Sequence, residues 1–174
     1  GILTFSALGG FIFARYEFPG RETLYYGIIA LMMIPPALTL VPAFVWVNQL
    51  NLTDTYFVMI LPYIAGGQVL GIYLLRGFFG QIDNGLFEAA EVDGAGLLRQ
   101  LWHVGLPLAK PIFGVVAIVS ALGVWNQFLW PLVTTSSESV IVLTVGMLRY
   151  TNRVGGMYGR MFAGYTVSAI PLGI

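Results

Sequence analysis

Three long stretches of this chain carry no charged side chain: residues 23–53, 55–75 and 111–137. The end pieces 1–14 and 161–174 are likewise uncharged. A helix needs about 20 mostly apolar residues to cross the hydrocarbon core of a bilayer, and each of the three stretches reaches that length. In hydrocarbon every backbone N–H and C=O must be satisfied inside the element, which makes such runs helices. Only 9% of the residues are charged and 57% are hydrophobic, where soluble domains carry roughly a quarter charged. The expected fold class is all-α, a polytopic membrane helix bundle.

The spans expected are 1–14 (partial), 23–48, 55–75, 111–133 and 161–174 (partial), in a single transmembrane domain with a polar loop over 76–110. A chain that begins at Gly1 and stops in an apolar run at Ile174 reads as a fragment truncated at both ends. Pro35, Pro36 and Pro42 predict a bent second span, because proline removes a backbone donor. Residues 48–54 form a short polar loop. There Asn51-Leu52-Thr53 matches the glycosylation sequon only weakly, and Asn51 is better read as a turn residue with positive φ. Gly67 and Gly71 form a small-xxx-small pair that permits close helix contact. Residues 134–160 read as a loop rich in Ser, Thr, Gly and Arg, with Met161 opening the last span.

Lysine and arginine set orientation. Arg15, Arg21, Arg76, Arg99 and Lys110 fall on one side and Arg149, Arg153 and Arg160 on the other, five against three. That bias places the 76–110 loop in the cytoplasm. Trp46 and Trp130 fit an outer aromatic belt.

Several function classes fall away. The absence of cysteine removes disulfides, thiolate zinc sites and cysteine nucleophiles. No G-x-x-x-x-G-K-[ST] pattern occurs, so ATP hydrolysis is not expected in this chain. The single histidine, His103, reads as a solvated residue on a surface helix. No catalytic residue, metal ligand or cofactor-binding residue is identified. No Asp or Glu lies within the expected spans, which disfavours a proton relay without ruling out sodium coupling. Asn126 and Gln127 are the notable polar pair in the fourth expected span. Interhelical hydrogen bonding is the stronger reading for them, and a substrate path offering hydrogen bonds to sugar hydroxyls is the functional one.

The polar loop holds the run Glu88-Ala89-Ala90-x-x-Asp93-Gly94-Ala95. Asp83 or Asn84 can cap a helix there, and Glu88 and Glu91 suit its early turns. Ala89, Ala90 and Asp93 share a face of little bulk, and Gly94 and Gly96 end or bend the helix. The following Leu97-Leu98-x-x-Leu101-Trp102 predicts an amphipathic helix at the membrane surface, with Arg99, Gln100 and His103 on its polar side. Pro107 is expected to break it. Chemistry alone leaves two readings open, an ordinary interfacial loop helix or a docking element for another protein.

This run, the eleven-residue gap after Ala95 and the pair Pro107 and Pro111 resemble the EAA loop of binding-protein-dependent ABC importer permeases. Tyr73-Leu74-Leu75-Arg76-Gly77-Phe78-Phe79, Trp125-Asn126-Gln127-Phe128-Leu129-Trp130-Pro131-Leu132 and Phe13-Ala14-Arg15-Tyr16-x-Phe18-x-Gly20-Arg21 are similar to its carbohydrate-uptake, maltose-type branch. The sequence departs from that pattern at Asn51, where the family often has Gly. The resemblance implies a type I ABC importer permease fold with a cytoplasmic coupling helix. It implies that Glu88 makes a polar contact to an ATPase and that Ala89 and Ala90 form the tight-fitting surface. Gly94 would allow the turn, and Asp93 and Pro107 complete the ATPase-coupling set. The implied partners are two ATP-binding cassette subunits, a second permease subunit and an extracytoplasmic solute-binding protein. ATP and Mg would be bound in the partner ATPase and no cofactor in this chain. The implied location is the inner (cytoplasmic) membrane, multi-pass, and the implied cargo a sugar or oligosaccharide. The alternative is a stand-alone secondary transporter or channel in which the loop helix is merely interfacial.

Overall fold

The computed structural model describes residues 1–153 and 157–172. Among them the regular elements are all helical. In order they are α1 (Ile2–Arg15), α2 (Arg21–Ala30, running into a 3-10 turn at Leu31–Met33), α3 (Pro36–Gln49), α4 (Tyr56–Phe79), α5 (Asn84–Val92) and α6 (Leu97–Gln100). A π-helical turn, Leu101–Gly105, leads to α7 (Leu106–Leu108), followed by α8 (Lys110–Trp125), α9 (Leu129–Thr134) and α10 (Leu143–Arg153). Then comes α11 (Tyr158–Ala169), with a 3-10 turn at Ile170–Leu172. The chain divides into two compact units, Gly1–Thr39 with Leu61–Gly123 and Leu40–Ile60 with Val124–Ile174.

Among the described residues α4, 24 residues long, is the one uninterrupted helix long and apolar enough to cross a membrane. Arg21–Met33 with Pro36–Gln49, and Leu97–Leu108 with Lys110–Trp125, reach that length only as bent pairs. The bends have chemical causes. Pro35 disfavours helical dihedrals in the residue before it, and Ile34 is extended at φ −82°, ψ 115°. The segment expected as one kinked helix over 23–48 is therefore two helices, with Pro36 opening the second and Pro42 inside it.

The first unit is built on close contact between α1 and α4. A Cβ added at Gly71 would lie 2.1 Å from Ser6 Oγ and 2.6 Å from Ser6 Cβ. One at Gly67 would meet Ile2 Cδ1 at 2.8 Å, and one at Gly10 would meet Leu75 Cβ at 2.7 Å. The glycine pair thus marks a real close approach, and Gly10 supplies its counterpart on α1. Ser6 Oγ donates to the Gln68 carbonyl at 3.3 Å, satisfying a hydroxyl that would be costly to bury alone. At one end of this pair lies the core of the unit: Phe11, Leu75, Phe79, Phe87, Leu101, Ala109 and Val116. Phe11 stands edge-on to Phe79 at 5.3 Å and tilted to Phe87 at 5.5 Å. Nearby, Glu22 accepts from Arg76 at 2.6 Å and from Arg21 at 3.0 Å, while the Arg76 guanidinium lies 3.6 Å over the Tyr25 ring.

The second unit is held by polar clasps. Asn51 and Asp54 both have positive φ, 55° and 59°, so Asn51 is the turn residue its chemistry predicts. Asp54 Oδ1 accepts the Ser136 and Ser137 amides at 2.6 and 2.9 Å, and its own amide donates to the Thr134 carbonyl at 3.0 Å. Trp130 Nε1 donates to the Val58 carbonyl at 2.8 Å. Residues 143–153, expected within a loop, form α10. The helix is fixed by burial of Val145 and by contacts to α11, including Tyr150 Oη to the Arg160 carbonyl at 3.2 Å. Tertiary packing here overrides the weak helix propensity of Thr, Gly and Asn. The last helix accordingly begins at Tyr158 rather than Met161.

Candidate functional site

α5 begins and ends on side-chain and backbone chemistry that its sequence spells out. Asp83 is the N-cap, its carboxylate accepting the Gly85 amide at 2.8 Å, which satisfies one of the free donors of the first turn. At the other end Gly94 adopts φ +74°. The Gly94 amide donates to Glu91 O and the Ala95 amide to Ala90 O, each at 2.9 Å. That pair of bonds is a Schellman closure, and it requires a left-handed residue where glycine stands. A side chain at Gly94 would meet nothing within 4 Å, so the glycine answers a backbone need rather than a steric one within this chain.

One face of α5 is held and the rest is open. Phe87 is buried at 7% exposure, seated on Phe11. Glu88, Ala89, Glu91, Val92 and Asp93 are exposed and Ala90 is half-buried. Val92, at 88% exposure, shows how little of the surrounding chain covers this side. The result is a short helix presenting carboxylates and small side chains outward. Arg15 fixes its near end: Nη1 donates to Asn84 Oδ1 and Nη2 to the carbonyls of Phe79 and Ile82. The same guanidinium sits 4.2 Å from the Phe87 ring centroid.

The segment after α5 departs from expectation in two ways. Gln100 is not on a polar surface. It is buried, and its Nε2 donates to the Ala95 carbonyl at 2.9 Å, pinning the turn between α5 and α6. Arg99 and His103 are exposed as expected, with His103 Nδ1 3.1 Å from the Arg99 carbonyl. The apolar residues split into an inward set, with Leu101 buried, and an outward pair, Leu98 and Trp102, exposed at 58% and 64%. Nor does Pro107 break the helix. A proline ring clashes with the carbonyl four residues earlier, here His103. That residue lies in the π-helical turn, whose wider winding displaces the clashing group. The chain instead turns at buried Ala109, and Leu97–Leu108 meets Lys110–Trp125 at 85°. Pro107 itself is exposed.

Asn126 and Gln127 belong to the second unit and lie outside any helix, between α8 and α9, and both are exposed. The expected fourth span, 111–133, is interrupted there. Pro131 requires a helix start just ahead of it, since the missing N–H is harmless only in a first turn. The Gln127 carbonyl accepts from Thr144 Oγ1 at 2.9 Å. The residues that sequence reasoning missed as parts of the site are Arg15, Phe87 and Gln100. Arg15 stood in a quoted motif, but its bonding partners lie 64 to 69 positions away. Among the described residues no group of three or more His, Cys, Asp or Glu is arranged to hold a metal ion.

The family model for the binding-protein-dependent transport system inner membrane component matches residues 6–174. The chain belongs to that family. Among similar family proteins, it is 36% identical over 173 residues to the diacetylchitobiose uptake system permease protein NgcG of Streptomyces coelicolor, covering 98% of this chain and 57% of that one. It is 29% identical to the arabinooligosaccharides transport system permease protein AraQ of Bacillus subtilis, covering 98% and 60%. It is 30% identical to the sn-glycerol-3-phosphate transport system permease protein UgpE of Yersinia pestis, covering 98% and 61%. The chain thus spans about three fifths of the length of these relatives. Its fold is shared with a chain in the crystal structure of a bacterial ABC transporter involved in the import of the acidic polysaccharide alginate. The TM-score is 0.78 at 24% identity, over 98% of this chain and 65% of that one. The all-α type I importer permease fold expected from the sequence is the fold found.

Proposed function

We propose that the full protein is the transmembrane permease subunit of an ATP-driven ABC importer for a sugar or oligosaccharide. In this reading α5 is the cytoplasmic coupling helix. The observation that carries the reading is the α5 platform itself, a capped helix with an open face of Glu88, Ala89 and Asp93 in a member of this transport family. Small side chains let a neighbouring surface approach the helix backbone closely. Glu88 offers a charged hydrogen-bond acceptor at the rim, the type of contact that fixes register.

The partners of this reading are two ATP-binding cassette subunits, a second permease subunit and an extracytoplasmic solute-binding protein. Nucleotide and Mg belong to the cassettes. ATP-driven closure of the cassettes moves α5, and α5 moves the helices on which it is seated. Pro107 lies on the exposed side of the re-entry turn after α5, at the edge of the coupling surface. Asn126 and Gln127, exposed at a break between helices, are the residues of this chain proposed to line the solute path. The membrane is the inner (cytoplasmic) one, crossed several times, with α5 on the cytoplasmic side. The relatives named for diacetylchitobiose and arabinooligosaccharides support the carbohydrate assignment.

The test is Ala89→Trp in the full-length protein with its partners. Ala89 is exposed, so the added ring leaves this chain's packing intact and obstructs only a docked surface. The variant should insert normally yet lose retention of the ATPase in detergent and lose ATP-driven uptake in liposomes. Undiminished retention and uptake would refute the assignment of α5. A panel of oligosaccharides offered to the cognate solute-binding protein then identifies the cargo.

A further inference from the structure

α5 packs on its unit through α6, the Leu101–Gly105 turn and Phe11 of α1. Its buried side chain is Phe87, and one guanidinium, on Arg15 at the last residue of α1, joins three separate pieces of chain. Nη2 donates to the carbonyls of Phe79, at the end of α4, and of Ile82, in the link to α5, while Nη1 donates to Asn84 Oδ1 at the first residue of α5. The end of α4 presents carbonyls with no helical partner, and a cation there also complements the helix dipole. The flat guanidinium, 4.2 Å from the centroid of Phe87, leans on the same ring that anchors α5. At the other end of the contact α1 and α4 are locked by Gly10 against Leu75 and Gly71 against Ser6, so neither helix can slide against the other without clashing.

We propose that Arg15 is the positioning residue that makes α5 a rigid extension of α1 and α4, so that a push on the α5 face is delivered to both helices together. Without the fork, α5 would be held by Phe87 and by packing on α6 and the Leu101–Gly105 turn. Apolar packing permits rocking, whereas three hydrogen bonds from one planar guanidinium fix direction. Lysine at this position keeps the charge but not the planar fork, and it cannot serve the three acceptors in the same geometry. This inference rests on the proposed role of α5, but its structural half can be read without any ATPase.

The experiment has two arms on the full-length protein. In the first, spin labels on Gly77→Cys in α4 and Leu86→Cys in α5 report the spread of distances between the two helices in nanodiscs. Residues 1–174 hold no cysteine, any cysteine elsewhere in the full protein is replaced first, and both positions are exposed. The distribution should be narrow with Arg15 present and broaden in Arg15→Ala and Arg15→Lys. In the second, the reconstituted importer is measured for solute moved per ATP hydrolysed. Arg15→Ala should lose about tenfold in that ratio, the scale of removing charge-assisted hydrogen bonds, with ATPase subunits still bound. Arg15→Lys should fall between it and the wild type, and it carries the test if the alanine variant does not fold. A lower yield of complex with an unchanged distance spread and an unchanged ratio would overturn the proposal, because that is what simple structural support predicts. A broadened distribution with an unchanged ratio overturns the transmission. Where the wild type retains no ATPase, the reading of α5 fails, and the distance arm still decides whether Arg15 holds the helix.

Discussion

Single residues in this protein act mainly on backbone groups. Gly94 closes α5 because glycine enters the left-handed region without the steric cost of a Cβ. Gln100 and Arg15 each spend their polarity on carbonyls. Asp54 does the reverse, accepting two consecutive amides. Those two backbone hydrogen bonds hold its carboxyl below the ordinary value of 3.8, with Arg149 adding a lesser effect. A folded pKa below the unfolded one means the stabilisation is complete above the unfolded value and fades as pH falls through the folded one. The Ser136 and Ser137 amides should therefore keep constant protection from hydrogen exchange between neutral pH and pH 5, and lose it only below 3.8. In Asp54→Asn the protection should already be weaker at neutral pH and should no longer respond to acid. An unaltered acid response in that variant would show that Asp54 is not the clasp.

Among the elements, the pairing of α1 with α4 is the most constrained. An alanine at Gly71 would place its Cβ 2.6 Å from Ser6 Cβ, an overpacking whose cost is about 1–3 kcal/mol. Gly71→Ala should lower the thermal midpoint in detergent. Adding Ser6→Gly should recover most of the loss, the coupling expected of residues in direct contact. Gly10→Ala meets the Arg76 backbone nitrogen at 3.1 Å as well as Leu75, and no side-chain change should rescue it. The pairing was half legible in the sequence: Gly67 and Gly71 mark a close contact, but nothing local names Ser6, Ile2 and Gly10 as its other half. α5 was the most legible element, since its cap, small face and terminating glycine are all local signals. The bend near Ile34 was legible in Pro35 and Pro36, though not that it parts the span into two helices. The break near Asn126 was hidden because hydropathy counts apolar residues without asking whether Pro131 allows one continuous helix. Gln100 looked like a surface residue because helical periodicity is not disturbed by one buried amide that finds a carbonyl. α10 was missed because its stability comes from contacts with α11 rather than from its own composition.

For the whole molecule, the proposed orientation in the bilayer rests on arginine and lysine placement. Residues 1–174 hold no cysteine, so a labelling measurement needs only that any cysteine elsewhere in the full protein be replaced. A membrane-impermeant maleimide applied outside should label Ser137→Cys and spare Glu91→Cys in intact cells, with both labelled after permeabilisation. The opposite pattern would invert the proposed placement of α5. In the proposed reading the partner stays docked while α5 carries its movement, so the contact must form without disturbing the helix. The Schellman closure bears directly on this. With the Ala89, Ala90 and Glu91 carbonyls already satisfied inside the chain, a neighbour closing over that end of α5 need not supply donors to them, and burying them unpaired would be costly. The end of the helix is finished before anything binds, so a proposed partner meets a backbone that needs no rearrangement to receive it.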